Sequence, residues 1–118
     1  MEFLEHVLVV LHFLGLAALI GGFLVQIKDT TRVVNNAMFH GALTQLVTGI
    51  LLVGIAYPLA DGDEALYPDN AKIAVKLTIL LVILGLILAN RKKESISTAI
   101  WGAIGGLAIL NVVIAVFW

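Results

Sequence analysis

The sequence predicts an all-α integral membrane protein, a bundle of four transmembrane helices formed by a single domain over residues 1–118. Its residues are 61% hydrophobic and only 13% charged, whereas an average soluble domain carries about 25% charged residues. A small soluble domain buries only about 60–70% of the surface of its unfolded chain, so much of this apolar content would stay in water. The composition therefore excludes a soluble enzyme, a nucleic-acid-binding protein and a disordered chain.

Four apolar stretches are long enough to cross a bilayer, which requires about 20 mostly apolar residues per helix. Helices are expected because a segment in hydrocarbon must satisfy its own backbone, and none of the four alternates as a barrel strand would. The predicted spans are residues 7–27, 37–57, 73–89 and 96–118.

The polar segments between these spans separate charge by sign. Five of the seven Lys and Arg residues lie in the loops 28–36 and 90–95, and six of the eight acidic residues lie near the N-terminus or between spans two and three. Because loops rich in Lys and Arg stay on the cytoplasmic side, we expect both basic loops in the cytoplasm and both termini outside. The predicted location is the cell membrane, with the lipid bilayer as the immediate partner.

Small residues predict where the helices touch, since lipid-facing positions favour larger aliphatic side chains. On span one, Leu8, His12, Gly15, Leu19 and Gly22 follow one another at steps of three and four residues, which places them on one seam. Span four contains a GxxxG pair, Gly102 and Gly106. That pair predicts either close packing within the bundle or a homodimer through this face.

Ionisable side chains inside a span cost about 2.5–3.5 kcal/mol each on insertion scales, so each needs a physical reason. The candidates are His12, His40 and Lys76, with Asn111 as a neutral companion. His12, Lys76 and Asn111 each lie fourteen residues, or about 21 Å of helix, from the predicted inner end of their span. If the inner ends lie level, the three residues share one layer. We predict a polar, cofactor-binding site there, in the outer half of the bundle.

Each of these residues also has a simpler interpretation. Lys76 could extend its ammonium to the outer headgroups, and His40 could be a hydrated histidine at a helix end. His12 could be a structural histidine bonded to Asn111, or a ligand or proton-transfer group. His12 and His40 are the two candidate metal ligands, but their predicted depths differ by about 20 Å. One iron could then not bind both, which leaves haem held by His12 alone or with a non-histidine ligand.

Three short motifs occur in a recognisable order. They are His12 to Gly15 followed by Gly21-Gly22, then the step Val47-Thr48-Gly49, then Lys76-Leu77 leading through aliphatic residues to Asn90-Arg91. Over spans one to three, this pattern resembles the CopD-like (copper resistance protein D) family of membrane proteins. It is also distantly similar to the HemJ-type protoporphyrinogen oxidases, which are small four-helix membrane proteins.

The two resemblances imply related functions. A CopD-like protein would handle copper, with His12 as a candidate ligand. A HemJ-type protein would bind haem and carry out redox chemistry near the outer layer, and the important third-span lysine of that family would correspond to Lys76.

We therefore predict a membrane protein that binds haem b or copper, with a redox or copper-handling role. In that function Lys76 would pair with a propionate or an anionic substrate, and Asn111 would orient the ligand by a hydrogen bond. The competing hypothesis is a non-catalytic accessory subunit or small transporter whose polar residues only set the helix register.

Overall fold

The protein is an all-α, multi-pass membrane protein with four helices. A computed structural model describes residues 2–118, and each of the four long helices is apolar and long enough to cross a bilayer. They run antiparallel in chain order, with a 3₁₀ turn, Glu64–Leu66, between the second and third. The helices are α1 (Glu2–Leu24), α2 (Asn36–Ala60), α3 (Asn70–Asn90) and α4 (Thr98–Phe117).

Polar capping residues, rather than the change in hydropathy, decide where α2, α3 and α4 begin. The first N–H groups of a helix lack partners within it, so a side-chain oxygen just before the helix must accept from them. Asn35 accepts from the Met38 amide, Asp69 from the amides of Ala71 and Lys72, and Ser97 from that of Ile100. The starts of α3 and α4 therefore differ by two or three residues from the predicted 73 and 96.

The ends of α1 and α2 also differ from the predicted 27 and 57. α1 ends at Leu24, where the chain turns into the segment that leads to α2. α2 continues through Pro58 to Ala60, and the Pro58 carbonyl accepts a hydrogen bond from the Asp61 amide at the end of the helix. Asp61 itself adopts the left-handed conformation, with φ of 49°, that commonly terminates a helix.

The closest helix contact in the bundle joins α1 to α2. The buried residues of α1 include Leu8, Gly15, Leu19 and Gly22, which confirms the predicted seam. At the crossing, a Cβ added to Gly41 would lie 2.5 Å from the Leu19 amide nitrogen and 2.6 Å from the Gly15 carbonyl oxygen. Only glycine at position 41 therefore permits the two backbones to approach this closely.

The hydrophobic core fills the half of the bundle next to the basic loops. All four helices contribute to its five largest fully buried side chains. These side chains are Leu19, Met38, Ile83, Ile87 and Ile104.

Arg32 and Trp101 tie the two basic loops together at this end. The Trp101 ring stacks on Phe23 with centroids 4.3 Å apart, and its Nε1 donates to the Phe23 carbonyl at 3.1 Å. The Arg32 guanidinium lies 4.1 Å from the centre of the Trp101 ring and donates to the carbonyls of Gln26 and Ile27. The Arg32 carbonyl accepts from the Ile96 amide at 2.8 Å. The loop contacts therefore close this end of the bundle.

The GxxxG pair of α4 does not pack against the other helices of this chain. A Cβ added to Gly102 or Gly106 would meet nothing within 4 Å among the described residues, whereas one added to Gly105 would clash with the Phe23 ring. Packing within the bundle is therefore wrong for this pair. The homodimer through Gly102 and Gly106 stays a prediction.

The α1–α2 crossing predicts the effect of a single methyl group. Gly41→Ala should lower the free energy of unfolding by about 1–3 kcal/mol, because backbone atoms cannot move aside as a flexible side chain could. Gly54→Ala is the matched control on the same helix, since a Cβ there meets nothing within 4 Å. Helix content followed by circular dichroism during denaturation in detergent measures both, and equal stability of the two variants would contradict the crossing.

Candidate functional site

The half of the bundle away from the basic loops contains a cavity of about 530 Å³ between the four helices. Most of its wall is aliphatic, but each helix contributes one polar side chain that can hydrogen-bond: His12, Gln45, Lys76 and Asn111. The volume lies within the range of about 300–1,000 Å³ that is typical of ligand pockets. The structure thus brings together His12, Lys76 and Asn111, as the depth calculation predicted.

His12 is half-buried and lies against α2. Its Nδ1 is 2.7 Å from the Thr48 hydroxyl oxygen, whereas Asn111 bonds the Lys76 carbonyl, so the alternative in which His12 bonds Asn111 is wrong. The reason is the close approach of α1 to α2 near Gly15 and Gly41, which places the imidazole beside the next turns of α2. Nε2 has no hydrogen-bond partner among residues 2–118.

Thr48 is itself anchored to its own helix. Its hydroxyl lies 2.6 Å from the Thr44 carbonyl oxygen, one helical turn earlier, and the residue is buried. Back-bonding of this kind satisfies a threonine hydroxyl inside a helix. A partly buried chain of hydrogen bonds therefore connects the Thr44 carbonyl, the Thr48 hydroxyl and the His12 ring.

Gln45 is the cavity residue that sequence reasoning did not select. It is only 6% exposed, and its Nε2 donates to the His12 carbonyl at 2.7 Å. Its place on the same face of α2 as Gly41 and Thr48 is the signal that could have identified it, because that face packs on α1. Its Oε1 has no hydrogen-bond partner among residues 2–118.

Asn111 and Lys76 form the opposite wall. The Asn111 side-chain Nδ2 donates to the Lys76 carbonyl at 3.1 Å and so joins α4 to α3. Asn111 Oδ1 is buried and has no hydrogen-bond partner among the described residues. Lys76 is half-buried and lines the cavity, whereas the ammonium of Lys72, one turn earlier, donates to the Ala115 carbonyl at 3.2 Å. The two lysines therefore have different environments.

His40 lies outside this site. It is exposed in the second turn of α2, where its ring is 5.1 Å from that of Phe39. His12 is beside Thr48, eight residues further along α2, so the two histidines differ in depth by about 12 Å rather than 20 Å. Asn35, just before α2, bonds the Gly22 carbonyl, so α2 begins beside Gly22 rather than level with the inner end of span one. They remain too far apart to ligate one ion.

Among residues 2–118, no group of three or more His, Cys, Asp or Glu side chains could hold a metal ion. No protein-family model, curated protein or solved structure matches the chain. The resemblance to CopD-like and HemJ-type proteins stays a prediction from short motifs, two of which contain the cavity residues His12 and Lys76.

Proposed function

We propose that this protein binds haem b in the cavity between its helices, where His12 Nε2 would hold the iron, and that it has a redox role in the membrane. The observation that carries the proposal is a single imidazole on the wall of an otherwise largely aliphatic cavity of about 530 Å³. Its Nδ1 is already hydrogen-bonded, and its Nε2 has no protein partner among residues 2–118. Histidines that bind metals commonly combine these two features.

The donor set favours haem over a bare metal ion. A structural metal ion such as zinc needs about four protein ligands, whereas haem brings its own equatorial nitrogen ligands and needs only axial ones from the protein. Copper(I) prefers thiolate and thioether sulfur, yet the chain has no cysteine. Met38 lies in the opposite half of the bundle, where its sulfur accepts from Gln26. Copper handling is therefore the weaker proposal.

Lys76 supplies the second feature of the proposed site. A carboxylate inside a membrane protein needs an opposite charge, because transfer of a charge from water into a low-dielectric region is costly. The Lys76 ammonium would pair with a haem propionate, while the aliphatic wall would contact the macrocycle. Haem, when bound, would supply the electron-transfer chemistry, and the protein would hold it and exclude water.

The proposal predicts a coloured protein. Detergent-purified protein reconstituted with haem should show a Soret band that His12→Ala abolishes, because the axial ligand is lost. His6→Ala and His40→Ala are matched controls and should keep the band, since both side chains are exposed and neither lines the cavity.

Helix content measured by circular dichroism shows whether His12→Ala remains folded. A wild-type protein that takes up no haem would contradict the proposal. That result would favour the competing hypothesis of an accessory subunit or small transporter.

The role of Lys76 predicts a loss of affinity without a loss of fold. Lys76→Met should weaken haem binding by about tenfold or more, because a hydrogen bond to a charged group contributes about 1.5–3 kcal/mol and about 1.4 kcal/mol is tenfold. Lys93→Met, in the exposed loop after α3, should leave affinity unchanged. Haem titration followed in the visible spectrum compares the two variants, and identical affinities would remove Lys76 from the site.

We also propose the orientation in which both termini and the acidic loop face outward and loops 28–36 and 90–95 face the cytoplasm. The absence of cysteine makes single-cysteine labelling direct. A membrane-impermeant maleimide applied to intact cells should label Asp63→Cys, and it should label Lys92→Cys only after permeabilisation. Both positions are exposed. The reverse pattern would invert the proposed topology.

A further inference from the structure

The chain of hydrogen bonds from Thr44 through Thr48 to His12 allows only one placement of its hydrogens that leaves no two acceptors facing each other. The Thr48 hydroxyl carries one hydrogen and lies 2.6 Å from the Thr44 carbonyl oxygen, which can only accept. If that hydrogen turned toward His12, the two oxygens would face each other at this distance with no hydrogen between them. The hydroxyl therefore donates to Thr44, and its oxygen accepts from His12 Nδ1, 2.7 Å away.

We infer that Thr48 is a positioning residue, which holds neutral His12 as the Nδ1–H tautomer and thereby makes the cavity select ligands with a Lewis-acidic centre. In a neutral imidazole one nitrogen donates and the other accepts. When Nδ1 carries the hydrogen, Nε2 presents a lone pair. The hydrogen bond made by one ring nitrogen thus sets the chemistry of the other.

The two cavity amides are oriented in the same sense. Gln45 Nε2 donates to the His12 carbonyl, and Asn111 Nδ2 donates to the Lys76 carbonyl. Because a backbone carbonyl can only accept, neither amide can flip without losing its bond. The amide oxygens are therefore the groups left without partners, and that of Asn111 is fully buried.

The cavity consequently combines three free acceptors, His12 Nε2, Gln45 Oε1 and Asn111 Oδ1, with the Lys76 ammonium as its cation. Acceptors without partners disfavour a ligand that offers only further acceptors, since such a ligand could pair with the Lys76 ammonium alone. An electron-poor centre, such as a metal ion within a macrocycle, satisfies the Nε2 lone pair. This inference rests on the proposed function for the identity of the ligand, but the tautomer of His12 does not depend on it.

The tautomer is measured first, on protein without added haem. A His6→Gln/His40→Gln background leaves His12 as the only histidine, and ¹⁵N-histidine NMR under mildly alkaline conditions reports which ring nitrogen carries the hydrogen. We expect protonated Nδ1 in this background and a mixture of tautomers after Thr48→Val. Thr48→Ser should restore the Nδ1–H form.

Thr44→Val is the matched control, because it is the same isosteric exchange and retains the backbone carbonyl that Thr48 uses. It should leave the tautomer unchanged. Protonated Nε2 in the parent protein, or an unchanged tautomer in Thr48→Val, would overturn the inference.

Ligand selection is measured with two porphyrins that differ only at the centre. Haem should bind more tightly than metal-free protoporphyrin, and Thr48→Val should weaken haem binding by about 10–100-fold, as is typical when the partner of a metal-binding histidine is removed. Binding of the metal-free porphyrin should not change in this variant. Equal losses for both porphyrins would indicate a merely structural role and overturn the selection.

The two proposals fail in different ways. Protonated Nδ1 without any haem binding would leave the positioning role of Thr48 intact and contradict only the proposed function. Haem binding together with protonated Nε2 would support the proposed function and contradict the positioning role of Thr48.

Discussion

The close crossing of α1 and α2 is the constraint on which the rest of this bundle depends. Glycines on both helices let the backbones meet, with the Gly15 carbonyl and the Leu19 amide lying where a side chain of residue 41 would begin. Lipid gives no hydrophobic drive for helices to associate, so such a contact is held by van der Waals packing and by interhelical hydrogen bonds. The bond from Gln45 to the His12 carbonyl crosses the same interface. The crossing therefore sets the register that places His12 beside Thr48.

The two ends of the bundle differ because their contacts differ. Next to the basic loops, Phe23 and Trp101 stack and Arg32 covers them, so aromatic and aliphatic side chains fill the space between helices. In the other half, helices of small and aliphatic residues leave a cavity between them. Arg32 shows that a residue can serve two purposes. Its charge contributes to the predicted orientation of the chain, and its guanidinium also bonds three partners across the loops.

The two amides of the cavity, Gln45 and Asn111, make the same kind of hydrogen bond. Each amide donates an N–H to a backbone carbonyl of a neighbouring helix, and these bonds join α1 to α2 and α3 to α4. The oxygen of each amide has no hydrogen-bond partner among residues 2–118. A polar group buried without a partner costs about 1–3 kcal/mol. Under the proposed function, a bound ligand would lie against these free oxygens and the free Nε2 of His12.

The sequence by itself determined the number of helices, the membrane as solvent and the shared layer of His12, Lys76 and Asn111. These follow from hydropathy and from the constant rise of a helix, which are local properties. Helix bounds were less predictable, because capping side chains such as Asn35 and Asp69 set them. Only the tertiary structure decided that His12 bonds Thr48 and that Gln45 joins the site. Those partners depend on where α1 crosses α2, and this is a result of packing between distant segments.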